Sequence, residues 1–593
     1  MSDSTQLSDQ FAYVETISND PPISVSKHKR VVSVRDNNGT QYTSGRVEID
    51  ASTALKGANG MANFEEMYIT VPYRVSMKNI GANALRNPPT KYCATLKCGV
   101  WNVINSIRLE LNGREVLTGK EYQNHWANVR AMTEWSQQEV DKHGSDAFLY
   151  PDDWFSCAFS SEASQSGDGF VYNRTNSGSV LGYTPTSDSL NGNTGFIKRL
   201  LANPIPIELK DGSTDVNTYG WPTISSSASS EIAKLNNKGA FKTGVITANE
   251  IAGEWFYLLK IRLCDLHPIF KSLKLMGNPQ VKLTLEFNTG FVDIASGGGE
   301  SPNMSIDNVV NRGKTCPIMV SSALADEPMA AVLSDTGGAT NAKSIRLAYG
   351  VCTNDVASDI PQYYNTPYVE LHLPFYDLQP SKLSKIISSP MKQIRFLDCY
   401  TQYITNQAGI GRINGKHGVN FQVQLGGSFK NIKYTLLLPY SQTSNNTIDG
   451  LKHFNTKHDI QQFESPFDAS PWTQQAGSAI RSFNVMIGNE QVFTGKTMSY
   501  DHELWNQEVS KLNALNGGVS RAVNNGLLDL KRYSTIHRFL VADCSRVSNP
   551  DVVQSVQISG TNEASQGTNL LCIVVYERVM DVNLLTGEVL NVD

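Results

Sequence analysis

No stretch of this 593-residue chain approaches 18 uninterrupted apolar residues, so none has the length to cross a bilayer as a helix. Charge is scarce as well. Asp, Glu, Lys and Arg make up 18% of the residues, below the usual quarter, with a net −5 and an isoelectric point near 6.1. That balance argues against a surface built mainly to hold nucleic acid. The one basic knot, Lys27-His28-Lys29-Arg30, reads as part of a solvated arm. Nine cysteines, an odd number scattered from Cys93 to Cys572, include no CxxC and no histidine at ligand spacing. Buried thiols in a reducing compartment account for them, and zinc does not. The opening MSDSTQLSDQ has neither the basic start nor the apolar stretch of a secretion signal, so the protein is expected not to be secreted. The sequons at Asn38, Asn173, Asn303 and Asn445 then carry little weight. HExxH and GxSxG are both missing.

What is present suits sheets. Apolar residues reach 40%, enough for buried cores, and the length calls for two or more of them. Gly, Ser, Asn and Thr are plentiful, as in β-sheet joined by long polar loops. Asn38-Gly39 separates two alternating runs and marks a hairpin. Strands are expected at MYITVPY (67–73), KYCATLKCGVWNV (91–103) and SIRLEL (106–111). In the last, Ile107, Leu109 and Leu111 share a face, with Arg108 and Glu110 turned away. Tyr122, Trp126 and Val129 then have helical spacing with one apolar stripe. QVKLTLEF, YVELHLPFYDLQP, KQIRFLDCYTQYI, NFQVQL, IKYTLLLPY, SFNVMI, VVQSVQISG and LLCIVVYERVMDV continue the series. Regular short strands with polar turns point to sandwiches or barrels, not to βαβ units. Residues 160–198, 211–250 and 292–343 are expected to be long loops. The organisation expected is a polar arm over 1–30, a first β-domain over 31–380 and a second over 381–593, meeting at Gln379-Pro380-Ser381.

One element is written twice. NSIRLELNGREVLTGKEYQNHW, from Asn105, returns as RSFNVMIGNEQVFTGKTMSYDHELW, from Arg481. Ile104, Ser106, Val116, Thr118, Gly119 and Lys120 fall on Ile480, Ser482, Val492, Thr494, Gly495 and Lys496. Asn112-Gly113 falls on Gly488-Asn489. The first dipeptide favours a type I′ hairpin turn and the second a type II′, and both match strand twist. Upstream, Tyr73 of MYITVPY matches Tyr440 of YTLLLPY. Downstream, Tyr122 and Trp126 are echoed by Tyr500 and Trp505, with Val509 and Leu512 extending a second helical stripe. The two offsets, 376 residues (496 − 120) and 367 residues (440 − 73), differ by nine, which a loop insertion absorbs. A duplicated β-domain explains the ordered series.

The alternative, a phosphate loop at Thr-Gly-Lys, fails on chemistry. Such a loop needs a glycine five positions before the Gly-Lys glycine, where this chain has Arg114 and Glu490. Glu121 occupies the place of a magnesium-binding hydroxyl in the first copy. Instead the glycine is expected to turn the chain and Thr118 or Thr494 to cap the helix that follows. GIGRING (409–415) lacks the spacing and setting of a dinucleotide fold. Asp152-Asp153 and Glu65-Glu66 are adjacent pairs, so on a strand they would face opposite ways. His267, before Pro268, reads as a structural histidine. No catalytic, cofactor-binding or metal-binding residue emerges, and the chain reads as a non-enzyme without cofactors. A carbohydrate-binding or adhesion β-sandwich is the alternative function, with Trp154, Tyr172, Tyr183 and Trp221 in or near polar loops as sugar-stacking candidates.

The order of segments resembles the double jelly-roll major capsid proteins of virophages and polinton-like DNA viruses. VPY followed by LNGREVLTGK and Trp126 carries the likeness, supported by RLCDLHPIFKSLKLMGNPQVKLTLEFN, VELHLPFYDLQPSKLSKIISSPMKQIRFLDCY, NIKYTLLLPY and NLLCIVVYERVMDVNLLTGEV. The resemblance implies a mainly β fold of two tandem antiparallel jelly-roll barrels with short helices and long loop insertions. It implies a homotrimeric, pseudo-hexagonal capsomer tiling an icosahedral shell, with neighbouring capsomers, penton and minor or cement proteins as partners. The shell would enclose DNA without sequence-specific binding, and assembly would take place inside the host cell, with the protein ending in the virion.

Overall fold

A computed structural model describes most of residues 26–151, residues 194–203, most of 245–322, then 344–351, 368–405, 418–442, 480–499, 502–516, most of 526–562, and 567–592, with two short strands at Ala158–Phe159 and Phe170–Val171.

Two eightfold sets of strands follow one another. The first set is β1 (Ser26–Arg35), β2 (Arg46–Asp50), β3 (Tyr68–Asn79), β4 (Ile104–Leu111), β5 (Arg114–Leu117), β6 (Ile251–Arg262), β7 (Val281–Phe287) and β8 (Glu370–Leu378). The second is β9 (Met391–Ile404), β10 (Val419–Phe429), β11 (Ile432–Gln442), β12 (Ile480–Ile487), β13 (Glu490–Gln491), β14 (Leu540–Asp543), β15 (Gln554–Asn562) and β16 (Gly567–Asn583), closed by β17 (Val589–Val592). In the first set β1 pairs β8, β8 pairs β3 and β3 pairs β6, while the facing sheet runs β2-β7-β4-β5. The second set repeats this with every number raised by eight: β9-β16-β11-β14 and β10-β15-β12-β13. All these pairings are antiparallel. Two four-stranded sheets in that order are a jelly roll. The chain is therefore a double jelly roll.

The strands form where alternation puts one face in the core. In β7, VKLTLEF, burial alternates as the sequence does, with Val281, Leu283, Leu285 and Phe287 inside. β4 buries Ile107, Leu109 and Leu111 and exposes Arg108, as its pattern requires. Pro72 has no N–H to give and falls where β3 passes from β8 to the strand Ser344–Val351. The duplicated hairpin turns behave as their dipeptides dictate. Asn112 and Gly113 both have positive φ, 47° and 80°, as a type I′ turn needs, whereas in the second copy Gly488 alone does, at 59°.

Four expectations change. The run 91–103 is a strand only over Tyr92–Leu96, after which Val100–Val103 forms a 3₁₀ turn that buries Trp101. The stretch 292–343 is not a plain loop. Gly290–Ser296 and Met304–Asn311 pair with each other and extend the β3 sheet through Ser344–Val351, while Ile318–Ser322 pairs Tyr92–Leu96. The stretch is rich in Ser, Gly, Asn and Thr, so composition alone reads as loop. The second helical stripe is broken into α3 (His502–Gln507), a 3₁₀ turn and Leu512–Leu515. Neither Thr118 nor Thr494 caps a helix. The helix after the first Thr-Gly-Lys, α1 (Gln123–Glu134), starts at Tyr122, whose N–H is held by Asn105 Oδ1 at 3.0 Å, and Thr494 Oγ1 bonds the Gln491 carbonyl instead.

The buried apolar residues of both barrels form one continuous cluster. Ile69→Ala and Leu436→Ala remove matching core side chains from the two barrels. Each is expected to lower stability by roughly 2–5 kcal/mol in denaturant titration. Because the core is shared, each should shift a single transition and not one of two.

Candidate functional site at the seam between the barrels

The seam is built around α1. Every residue from Gln123 to Thr133 is buried, although many of them are polar. A helix without a solvent face is tolerable only if its polar groups find partners. Towards the first barrel, Trp101 Nε1 donates to Asn128 Oδ1 at 2.6 Å, and Asn128 and Asn124 donate to Asn102 Oδ1 at 2.9 and 3.2 Å. Towards the second barrel, Trp126 Nε1 donates to the Tyr434 hydroxyl at 3.0 Å, and Tyr434 donates onward to Asn516 Oδ1 at 2.6 Å. Tyr440 meets His125 Nδ1 at 3.1 Å, and Asn516 Nδ2 reaches Thr133 Oγ1 at 3.3 Å. Glu134 closes the helix on Arg130 at 3.0 Å and Lys271 at 2.8 Å. A cavity of about 10 Å³ among Asn105, Gln123 and Asn124 has room for a water molecule and no more.

Beside α1 lies a buried charged set. Asp398, on β9, accepts from His267 Nε2 at 3.3 Å, from Arg578 Nη1 at 2.9 Å and from the Cys399 N–H at 2.8 Å. Arg578 also donates to the Val116 carbonyl of the first barrel at 2.9 Å. Burial pushes the Asp398 carboxyl up, but the hydrogen bond from His267 and the Arg578 charge outweigh it and leave the carboxyl below its usual range. His267 is held neutral by burial, against the pull of Asp398. Its Nδ1 accepts the Ile269 N–H at 3.2 Å, so the proton sits on Nε2 and points at Asp398. Both ring nitrogens are committed. This histidine has no free nitrogen with which to activate a nucleophile, and its role is structural, as the turn before Pro268 suggested. Burial, with Lys97 nearby, pushes His125 down to about 3.

A clasp completes the seam. The turn after β16 reaches back to the first barrel: Gly277 N–H donates to the Leu584 carbonyl at 2.7 Å, and Asn112 Nδ2 to the Thr586 carbonyl at 3.2 Å. Gly587, with φ of 74°, lies so close that a Cβ would stand 2.7 Å from Asn112 Nδ2 and 2.9 Å from the Gly277 carbonyl.

The duplicated Thr-Gly-Lys elements have separate fates. Lys120 lies over the Tyr400 ring at 5.7 Å, and the Glu121 carbonyl accepts Thr401 Oγ1 at 2.5 Å, so the first copy is a seam contact. In the second, Lys496 pairs with Glu503 and stays exposed. Glu65 and Glu66 are ion-paired with Lys274 and Lys29. The basic run Lys27–Arg30 lies on β1 rather than in an arm. Strand order begins at Ser26 because pairing with β8 reaches Leu378, and positive charges on an edge strand discourage stray pairing. Asp152-Asp153, Trp154, Tyr172, Tyr183, Trp221, GIGRING and the sequons at Asn173, Asn303 and Asn445 lie outside the described residues. Among the described residues, no three His, Cys, Asp or Glu side chains are grouped to hold a metal ion, and no helix is long and apolar enough to cross a membrane. Sequence reasoning missed Asp398 and Arg578. The available signal was charge inside an apolar strand: Asp398 in FLDCY, and Glu577 with Arg578 in VVYERVM.

No family model matches the chain, and no curated protein matches it. Among solved structures, it is similar over 98% of its length to the Faustovirus major capsid protein, at 8% identity and a TM-score of 0.40 over 96% of that chain. It is similar over 98% to the mavirus major capsid protein, at 10% identity and 0.34 over 92% of that chain. For the PBCV-1 virus capsid the values are 98%, 9% and 0.34, over 100% of that chain. The structures named are viral capsid proteins. The double jelly roll itself stands on the strand order above.

Acid should loosen the seam. His125 has a folded pKa of about 3 against an ordinary 6.5, so between those values the folded chain binds fewer protons than the unfolded one. Its contribution is whole above pH 6.5 and declines as pH falls, by up to about 1.4 kcal/mol per pH unit. Asp398, also depressed, adds a loss as pH drops through its folded value. Urea midpoints measured from pH 7 to pH 4 should fall, less steeply in His125→Gln. Asp398→Ala, which leaves Arg578 half-buried without its carboxylate, should cost roughly 3–5 kcal/mol at neutral pH.

Proposed function

We propose that this chain is a viral major capsid protein, a structural protein and not an enzyme, whose work is self-association. The observation that carries the reading is the same eight-strand order written twice and welded at a buried seam. Two like barrels held rigidly at a fixed angle form one third of a near-hexagonal ring. Three chains would then present six barrels, and such units tile a shell with little distortion. A welded pair suits that task better than a hinged one, because any play between barrels would be multiplied across the lattice. Jelly rolls also leave few open sheet edges, which suits a protein made at high copy number.

The unit is a homotrimer tiling an icosahedral shell around a DNA genome, with penton and minor or cement proteins beside it. Assembly takes place inside the host cell, and the protein ends in the virion. The negative net charge fits a wall that contains nucleic acid without reading it. The domains divide at 380, with the chain from β1 to residue 380 as the first barrel and 381–593 as the second.

Light scattering of the purified chain is expected to give about three times 65.2 kDa, with hexagonal particles or sheets in negative stain. A strictly monomeric protein at micromolar concentration would overturn the proposal.

A further inference from the structure

The seam has two sides. The first barrel contributes one corner: the Asn112-Gly113 turn, the Thr-Gly-Lys segment and residues 267–280. The second contributes the other: β9, the end of β16 and the turn 584–587. Since both barrels have the same strand order, each owns a copy of both sides. Two sides are used within the chain, and two are left over.

Pairing register identifies the leftovers. Val34 pairs Leu371, which pairs Ile69; Thr401 pairs Ile573, which pairs Leu436. Ile69 and Leu436 share the offset of Tyr73 and Tyr440, so β1 matches β9 residue by residue, and Val31 stands where Asp398 stands. By the same route Tyr376 stands for Arg578, because Lys29 pairs Tyr376 as Phe396 pairs Arg578. Val547 stands for His267, each being seven residues beyond matched positions Leu540 and Lys260. The charged set inside the chain thus has an uncharged counterpart, with Val31 47% exposed.

The clasp has a counterpart too. Gly488 N–H donates to the Ser555 carbonyl as Asn112 N–H does to Gln280, which places residues 552–555 where 277–280 stand. Here Val552 and Val553 are 53% and 54% exposed. Where the turn 584–587 follows β16, helix α2 (Pro380–Ser388) follows β8. None of its residues is buried, and Ile387 is 56% exposed. Apolar side chains therefore stand uncovered on both leftover sides. The run Lys27–Arg30, with Lys29 already paired to Glu66, lies at the β1 end next to α2, and Glu490 and Asp551 are exposed at the opposite corner beside Lys496.

We propose that a second copy of this chain fills this corner, seating its β1 edge and α2 on Gly488-Asn489, Thr494–Lys496 and Val547–Val553. The contact repeats between chains the relation that the seam makes within one. It rests on the self-assembling reading above and names the surface through which assembly starts. The change from charge to valine has a physical reason. The Asp398 set is desolvated once, as the chain folds, whereas a contact between chains would desolvate its charges at every association. A head-to-tail contact of this kind either closes into a ring or runs on as a filament.

The test uses the full chain. Val552→Asp with Val553→Asp, and separately Ile387→Asp, should reduce the mass in light scattering threefold, with the far-ultraviolet spectrum and thermal midpoint unchanged. Leu258→Asp, exposed on the opposite edge strand β6, should leave the mass as it is. As a second arm that does not depend on the aspartates folding, Ile387→Cys with Val553→Cys, treated with a short bifunctional maleimide, should give covalent trimers in denaturing gels. Trimers that survive both aspartate variants, together with no covalent product, would sink this surface and leave the capsomer reading standing. A wild-type monomer without covalent product would sink both. A covalent ladder running beyond three would uphold the surface and overturn the closed trimer.

Discussion

A helix with no exposed side governs this molecule. Buried from Gln123 to Thr133, α1 has polar groups that neither barrel satisfies alone. Asn102 and Trp101 serve one flank; Tyr434, Tyr440 and Asn516 serve the other. Pulling the barrels apart would bare Trp126 and strip Asp398 of its histidine, which sits on the first barrel. The cost of leaving such groups unpaired makes the relation between barrels a property of the fold, not of a linker. Rigidity follows from hydrogen-bond accounting.

Duplication supplied the parts, and position decided their use. The two Thr-Gly-Lys segments began alike and now do opposite things. Lys120 lies on a tyrosine of the other barrel, while Lys496 turns to a nearby glutamate in solvent. The same divergence runs through matched tyrosines. Tyr73 donates to the Asn288 carbonyl inside its own barrel at 2.5 Å, and Tyr440 reaches across the seam to His125. A repeat that must serve both as an internal partner and as an outer surface cannot keep identical side chains. The backbone, held by strand pairing, is what persists: Asn112-Gly113 and Gly488-Asn489 differ in residue order yet close the same hairpin.

Much of the fold was legible because its signals are local. Alternation in VKLTLEF, a turn dipeptide and a strand-length run each depend on a few neighbouring residues, whereas β6 and β14, largely buried and without regular alternation, were not among the strands expected. Where the reading erred, the deciding partner was distant. Residues 292–343 look like loop until Ser344–Val351 offers an edge to extend. Thr118 looks like a cap until Asn105, on the strand before the hairpin, takes the Tyr122 N–H instead. Lys27–Arg30 looks like a free arm until β8 pairs with it.

From the sequence alone came the β class, the doubling, the failure of the phosphate loop and the structural standing of His267, since spacing and side-chain chemistry suffice for each. Only the tertiary structure could supply the seam. Asp398 and Arg578 share it with His267 across hundreds of residues of chain, and no periodicity records which buried charge will meet which. Pairing of that kind is set by how two finished barrels lie against one helix, a condition that exists only once both have folded.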